Sequence, residues 1–180
     1  MSVNLSFWDW LGKIPDPRNS SGKRYSLQSI LALITVAMLN GQTSLRSISR
    51  WGRRLSRRQL ELFNIKRGNS PSQTTMHYLL VRLDPIILER TLSVWLKGVA
   101  SSFSNFPPLP SVNALPRDVA GEYRVLQIMA TCCATLACNA GATHNDWLCK
   151  NSGDDRIEAI HDFLQCVPAY TRQSGTKGTV

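Results

Sequence analysis

The chain has 180 residues, 43% of them hydrophobic, and a formal net charge of +9 at pH 7. That length allows one ordinary domain, or one domain with a partial second. Its longest apolar run, residues 30–39, contains Thr35 and is only half of the roughly 20 residues that a spanning helix needs, so it reads as a buried helix and not as a membrane helix.

The charge is lopsided. Residues 1–99 hold 15 Lys+Arg against 5 Asp+Glu, and residues 100–180 hold 6 against 7. A basic half joined to a near-neutral one points to nucleic acid or an anionic surface as the partner of the basic half. All five cysteines, Cys132, Cys133, Cys138, Cys149 and Cys166, lie in the other half. Their odd number, and an N-terminus unlike a secretory signal, place the chain in a reducing cytoplasm with free thiols.

Phe7, Trp8, Trp10, Leu11 and Ile14 predict a short apolar helix or arm, broken by Pro15-Asp16-Pro17-Arg18 and followed by a loop over residues 19–22. Ser26 caps a helix over residues 27–39, which Asn40-Gly41 stops. A turn through Gln42 and Thr43 leads to the next helix from about Ser44, and so short a connection packs the two together.

This next helix carries the strongest functional signal. Arg46, Arg50, Arg53, Arg54, Arg57 and Arg58 stand at i, i+4, i+7, i+8, i+11 and i+12 with no acidic residue between them. At about 100° per residue they share one arc. Leu45, Ile48, Trp51 and Leu55 take the opposite arc, toward a core. Arginine forks match phosphate oxygens, so the expected partner is a polyanion. Ser56-x-x-Gln59 also reads as a capping box. In that alternative a new helix starts at Arg57, and four arginines remain in the stripe. Solvated helices usually alternate sign, which favours nucleic acid over a plain surface. Membrane binding is disfavoured because the apolar face is needed for folding.

Lys66-Arg67-Gly68-Asn69 adds a basic loop. Ser70-Pro71 reads as the N-cap and first position of a helix to Leu83, with Met76, Leu79, Leu80 and Leu83 inward. Gln73, Thr74, His77, Tyr78 and Val81 fall outward. Gln73 and His77, one turn apart, with Thr74 beside them, are candidates for base edges in a major groove; ordinary exposed polar residues are the bland alternative. Asp84-Pro85 opens another helix through Ile87, Leu88, Leu92, Trp95 and Leu96. Residues 100–118 are rich in Ser, Asn and Pro and predict an extended linker. Beyond it the pattern weakens until Asp155-x-x-Glu158, which starts a helix with Ile157, Ile160, Leu164 and Val167 on one face; the polar tail from Ala169 predicts disorder.

Cys133, Cys138, His144 and Cys149 have the residue types of a zinc site. Their spacing is looser than the usual short cysteine pair, and scattered free thiols are the preferred reading. Asp154, Asp155, Glu158 and Asp162 cluster along one stretch, whereas a paired-metal site needs carboxylates from separate elements. No phosphate loop, nucleophile elbow or zincin motif occurs. No catalytic residue and no metal ligand is therefore assigned.

Seven blocks follow one another in order: Asp16-Pro17-Arg18, Gly22-Lys23-Arg24-Tyr25-Ser26-Leu27, Ile30-Leu31-Ala32-Leu33, Asn40-Gly41, Ser44-Leu45-Arg46-Ser47-Ile48-Ser49-Arg50-Trp51, Pro71-Ser72-x-x-Thr75 and Leu83-Asp84-Pro85. Over residues 7–99 the chain resembles the N-terminal associated domain of H-repeat-associated insertion-sequence transposases, a DDE family. The resemblance implies a helical module that precedes an RNase-H-like catalytic domain and helps to bind element ends. An intact member would use Mg²⁺ and three carboxylates to cut and join DNA. Where the family's first catalytic strand, Asp-Gly-Lys-Thr-Leu-Arg-Gly-like, should stand, this chain has Val112-Asn113-Ala114-Leu115-Pro116-Arg117-Asp118-Val119-Ala120-Gly121, and Asp118 is not carried over. Ile157-Glu158-Ala159-Ile160-His161-Asp162-Phe163-Leu164 resembles a family segment again. Islands of resemblance in unrelated sequence suggest a decayed or frameshifted gene.

The expectation is an all-α bundle with helix-turn-helix-like character in residues 1–99, a linker over 100–118, and a poorly ordered remnant of an RNase-H-like α/β domain over 119–180. The expected function is that of a transposase-family protein that binds double-stranded DNA at element terminal repeats, without catalysis, cofactor or membrane contact; homo-oligomerisation is left open. The alternative is a protein-interaction or oligomerisation module with Trp51 and Trp95 at its interface.

Overall fold

The computed structural model describes residues 6–19, 23–100 and 121–139, and among these the chain forms seven α-helices and no strand. They are α1 (Phe7–Gly12), α2 (Leu27–Leu39), α3 (Leu45–Gly52), α4 (Arg57–Leu62), α5 (Gln73–Arg82), α6 (Pro85–Ala100) and α7 (Gly121–Asn139). The linker residues 101–118, the helix and acidic cluster expected within 154–167, and the polar tail lie outside the described residues.

Serine starts most of these helices. Ser6, Ser26, Ser44, Ser56 and Ser72 hold extended N-cap conformations, and each side chain accepts from the N–H three residues on. Replacing such a cap by Ala costs about 1 kcal/mol. Asp84 caps α6, its Oδ1 accepting from Ile86 N, two residues on, at 2.8 Å and from Ile87 N at 3.4 Å. Stops are as local. Gly41, at φ +80°, ends α2 in a Schellman motif, with Gly41 N donating to Met38 O at 2.9 Å and Gln42 N to Ala37 O at 3.0 Å. Asn64, at φ 57°, ends α4 the same way through Ile65 N to Leu60 O at 3.0 Å.

Helix α2 is buried on nearly every side and forms the centre of the bundle, as an all-round apolar helix must. It packs on α1, α3 and α7; α6 lies against α1 and α7, and α5 lies between α3 and α7. Phe7 and Trp95 join α1 to α6, ring centroids 4.7 Å apart. Trp95 is 2% exposed, so it is a core residue and presents no interface to another chain. Trp51 packs half-buried against the same core.

A polar clamp fixes the α1–α2 connection. Asp16 accepts from Arg18 N (3.0 Å), Nε (2.9 Å) and Nη2 (2.9 Å), and Lys23 Nζ lies 3.2 Å away. The hydrogen-bonded Arg18 side chain is the main reason that the Asp16 carboxyl falls to a pKa of about 2. Arg18 Nη2 also donates to Tyr25 O at 2.9 Å, and Tyr25 OH donates to Asn69 O at 3.0 Å. The clamp thereby reaches the loop before α5.

Three expectations need correction. The arginine stripe is not one helix: α3 ends at Gly52, the chain turns through Arg54 N to Trp51 O (2.9 Å) and Leu55 N to Gly52 O (3.3 Å), and the Ser56 capping box starts α4. A straight helix over residues 45–62 would run about 27 Å and carry Leu60 off the bundle, whereas the turn buries Leu60 and Phe63. Helix α5 starts two residues later than expected, because Ser72 caps it through Thr75 N at 3.2 Å and Pro71 is buried ahead of it. Residues 121–139, placed in a poorly ordered remnant, form α7, whose Val125, Ile128, Met129, Cys132, Cys133 and Leu136 are buried.

Candidate nucleic-acid interface

Helix α3 is built for two environments. Its Leu45 and Ile48 are buried in the core while Arg46 and Arg50 stand in solvent on the other side. Arg53 and Arg54 follow on the turn, and Arg57 and Arg58 occupy the first turn of α4; all six are exposed. Cations at a helix N-terminus oppose its macrodipole, and the first turn of α4 itself holds no acidic residue.

Tertiary packing groups three of the arginines. Arg46, Arg50 and Arg53, with the buried Ser49 between them, line a cleft of about 330 Å³ whose other wall is Ser72, Gln73 and Thr74. The first N–H groups of a helix lack intrahelical acceptors and carry partial positive charge, so the start of α5 adds to the field of the guanidiniums. Glycine permits this approach. A Cβ at Gly52 would lie 2.3 Å from Ser70 Oγ and 3.2 Å from Ser70 Cβ.

Among the described residues no ion pair or ring contact engages Arg46, Arg50, Arg53 or Arg54. Arg57 Nε meets Glu61 Oε1 at 3.4 Å, a surface pair of small worth, and Arg58 has an interaction partner within the chain. Arg46, Arg50, Arg53 and Arg54 of α3 and its turn are thus exposed cations with no ion-pair partner among the described residues. Lys66 and Arg67 are exposed on the α4–α5 loop beside Gly68, at φ +69°, and do not line the cleft.

On α5, Gln73, Thr74 and His77 are exposed and Met76, Leu79 and Leu80 buried, the faces that periodicity predicts. His77 is nevertheless occupied: its Nδ1 contacts Glu122 Oε2 on α7. That imidazole joins two helices, which leaves Gln73 and Thr74 as the unencumbered base-edge candidates. Sequence reasoning missed Ser72, Ser49 and Glu122. It also missed a second groove of about 680 Å³ beside α7, into which Arg46 and Gln73 also face. The spacing of apolar residues from Val125 to Leu136 was the signal that could have revealed it.

Metal chemistry finds no support in the described side chains. Cys133 Sγ lies 3.7 Å from Thr35 O, and burial pushes its thiol up to about 12. Burial, and then the neighbouring Cys133, raise Cys132 as well. A thiol held protonated in a core is a poor metal ligand. The Cys138 side chain, His144 and Cys149 lie outside the described residues. Asp9 and Asp84 cap helices, Asp16 holds Arg18, and Glu61 and Glu122 hold Arg57 and His77. No three His, Cys, Asp or Glu gather among the described residues, so these carboxylates do not fit the divalent ions of a strand-cutting site. No helix among them is long and apolar enough to cross a membrane.

Comparison with known families matches residues 8–96 to the DDE_Tnp_1-associated family. Neither the curated proteins nor the solved structures gave a match. The matched segment runs from α1 to the last turns of α6 and contains the whole arginine cleft. Residues 8–96 are the N-terminal transposase-associated domain of a DDE transposase family.

Proposed function

We propose that this domain binds duplex DNA through the arginine surface of α3 and the α3–α4 turn, as the end-binding module of a transposase-family protein. One observation carries the reading: Arg46, Arg50 and Arg53 converge on the start of α5 with no carboxylate among the described residues of the cleft. Guanidiniums would hold phosphates and set the register, while Gln73 and Thr74, on the first turn of α5, would reach base edges. Packing of α3 against α5 supports a helix-turn-helix-like use of α5. Arg57, Arg58, Lys66 and Arg67 would add peripheral phosphate contacts.

The same reading assigns no strand cleavage to this chain, because each described carboxylate of the domain is engaged within the chain, most of them in a helix cap or an ion pair. The RNase-H-like remnant is confined in this reading to residues after α7. Mg²⁺-dependent nicking of a duplex carrying an element end would overturn the non-catalytic assignment.

Binding is tested by titrating the full chain against a terminal-repeat duplex and a scrambled one at several salt concentrations. With four to six arginines on phosphates, log K falls against log salt with a slope of about −4 to −5. A response flat in salt defeats the reading. Equal affinity for both duplexes would remove the sequence-reading role of Gln73 and Thr74.

A further inference from the structure

The arginine cleft does not end at α5. Arg46 and Gln73 also line the 680 Å³ groove, which runs between the end of α2, the start of α3 and the exposed side of α7. Cleft and groove thus share two side chains and form neighbouring compartments of different character. The first is cationic. The second has Met38, Leu45 and Leu126 on its walls, with the amides of Gln42 and Gln127 and the aromatic ring of Tyr123, 63% exposed.

We propose that the groove takes one unpaired nucleotide of a DNA strand whose phosphate sits among Arg46, Arg50 and Arg53. The proposal rests on the duplex-binding reading and adds to it a preference for an extrahelical base. Volume is the first reason: the groove falls in the roughly 300–1,000 Å³ range of small-ligand pockets, suited to a nucleotide and far too small for a duplex. Chemistry is the second. A base offers flat apolar faces and an edge of mixed donors and acceptors, and a groove with apolar walls and glutamine amides answers both. An exposed tyrosine is the usual platform on which an unpaired base stacks. Electrostatics is the third. Glu122 is the one carboxylate among the described residues of the groove wall, and it is engaged by His77. The anionic phosphate therefore meets arginines on its side, while the neutral base lies against α7.

The test compares three binding titrations of the full chain: a blunt terminal-repeat duplex, the same duplex with a single-nucleotide bulge, and the bulged duplex against Ala130→Trp. Ala130 is an exposed residue on the groove wall, so an indole there fills the groove without entering the core. The bulged duplex should bind about fivefold or more tightly than the blunt one, the lower end of what stacking one base contributes. A130W should abolish that preference and leave blunt-duplex affinity unchanged. Circular dichroism checks that A130W stays helical; Ala134→Trp, also at an exposed wall position, replaces it if it does not. Equal binding of bulged and blunt duplexes, or a preference that survives the filled groove, overturns the inference and leaves duplex binding standing. Failure to bind either duplex overturns both.

Discussion

Helices α3 and α7 both pack on α5, from the basic and the near-neutral halves of the chain, and they leave it in opposite condition. On the α3 side the cations have no ion-pair partner among the described residues and line a cleft with the first turn of α5. On the α7 side polarity is settled within the chain: Glu122 answers His77, and Val125, Met129 and Cys133 pass into the core. A charged group with an internal partner belongs to the fold. Charged groups gathered without one are held there against their mutual repulsion, and that cost is recovered when an anion arrives.

The most direct way to break this contrast is to remove the cations. Simultaneous Arg46→Ala, Arg50→Ala and Arg53→Ala should lower DNA affinity by at least about a hundredfold and flatten the salt slope by about 3. Thermal stability should hardly change, since these side chains support no described ion pair. A large loss of stability would show that they belong to the fold after all.

The α7 side should behave in reverse. Met129 is 2% exposed, and Met129→Ala should cost about 2–5 kcal/mol in urea unfolding. Because α7 shares a core with α2 and α6, the loss should appear in one cooperative transition for the whole molecule. A separate early transition would mean that α7 is only an appendage.

Gly52→Ala probes the seam between the two kinds of surface. Its Cβ would meet Ser70 at 2.3 Å, and overpacking of that kind costs about 1–3 kcal/mol. It should also weaken DNA binding, by separating α3 from the start of α5. Unchanged binding in the folded variant would show that the cleft does not need its present width.

The smallest effect concerns pH. Asp16 has its pKa lowered to about 2 from 3.8, chiefly by Arg18. A depressed carboxylate contributes stability that is complete above the unfolded value and is lost as pH falls from about 4 toward 2. Asp16→Asn should therefore unfold at lower urea than the parent near pH 5, and the difference should shrink by pH 2. A gap that stays constant over that range would assign the loss to geometry instead of charge.

Much of this was legible locally. Ser26 and Asn40-Gly41 bound α2 because caps and left-handed stops satisfy the nearest backbone groups and need nothing from the rest of the fold. The faces of α5 were legible because one apolar stripe met one core. Helix α7 was not. Its cysteines and alanines are weakly apolar, its apolar stripe is less marked than that of α3, and its place is set by residues nearly a hundred positions earlier, as with Cys133 against Thr35. The break at residues 53–56 had a visible cap in Ser56. Its choice over a continuous helix depended on where Leu60 and Phe63 could be buried.

By itself the sequence determined the helical class, most helix ends, the excess of arginine over residues 46–58 and the kinship with a transposase-associated domain. Those are matters of nearest-neighbour hydrogen bonding, periodicity and composition. Only the tertiary structure decided which arginines share a cleft, that His77 is spent on Glu122, and that α7 walls a groove beside Arg46. Such outcomes depend on how distant segments approach one another, and that is set by the competition to fill one core.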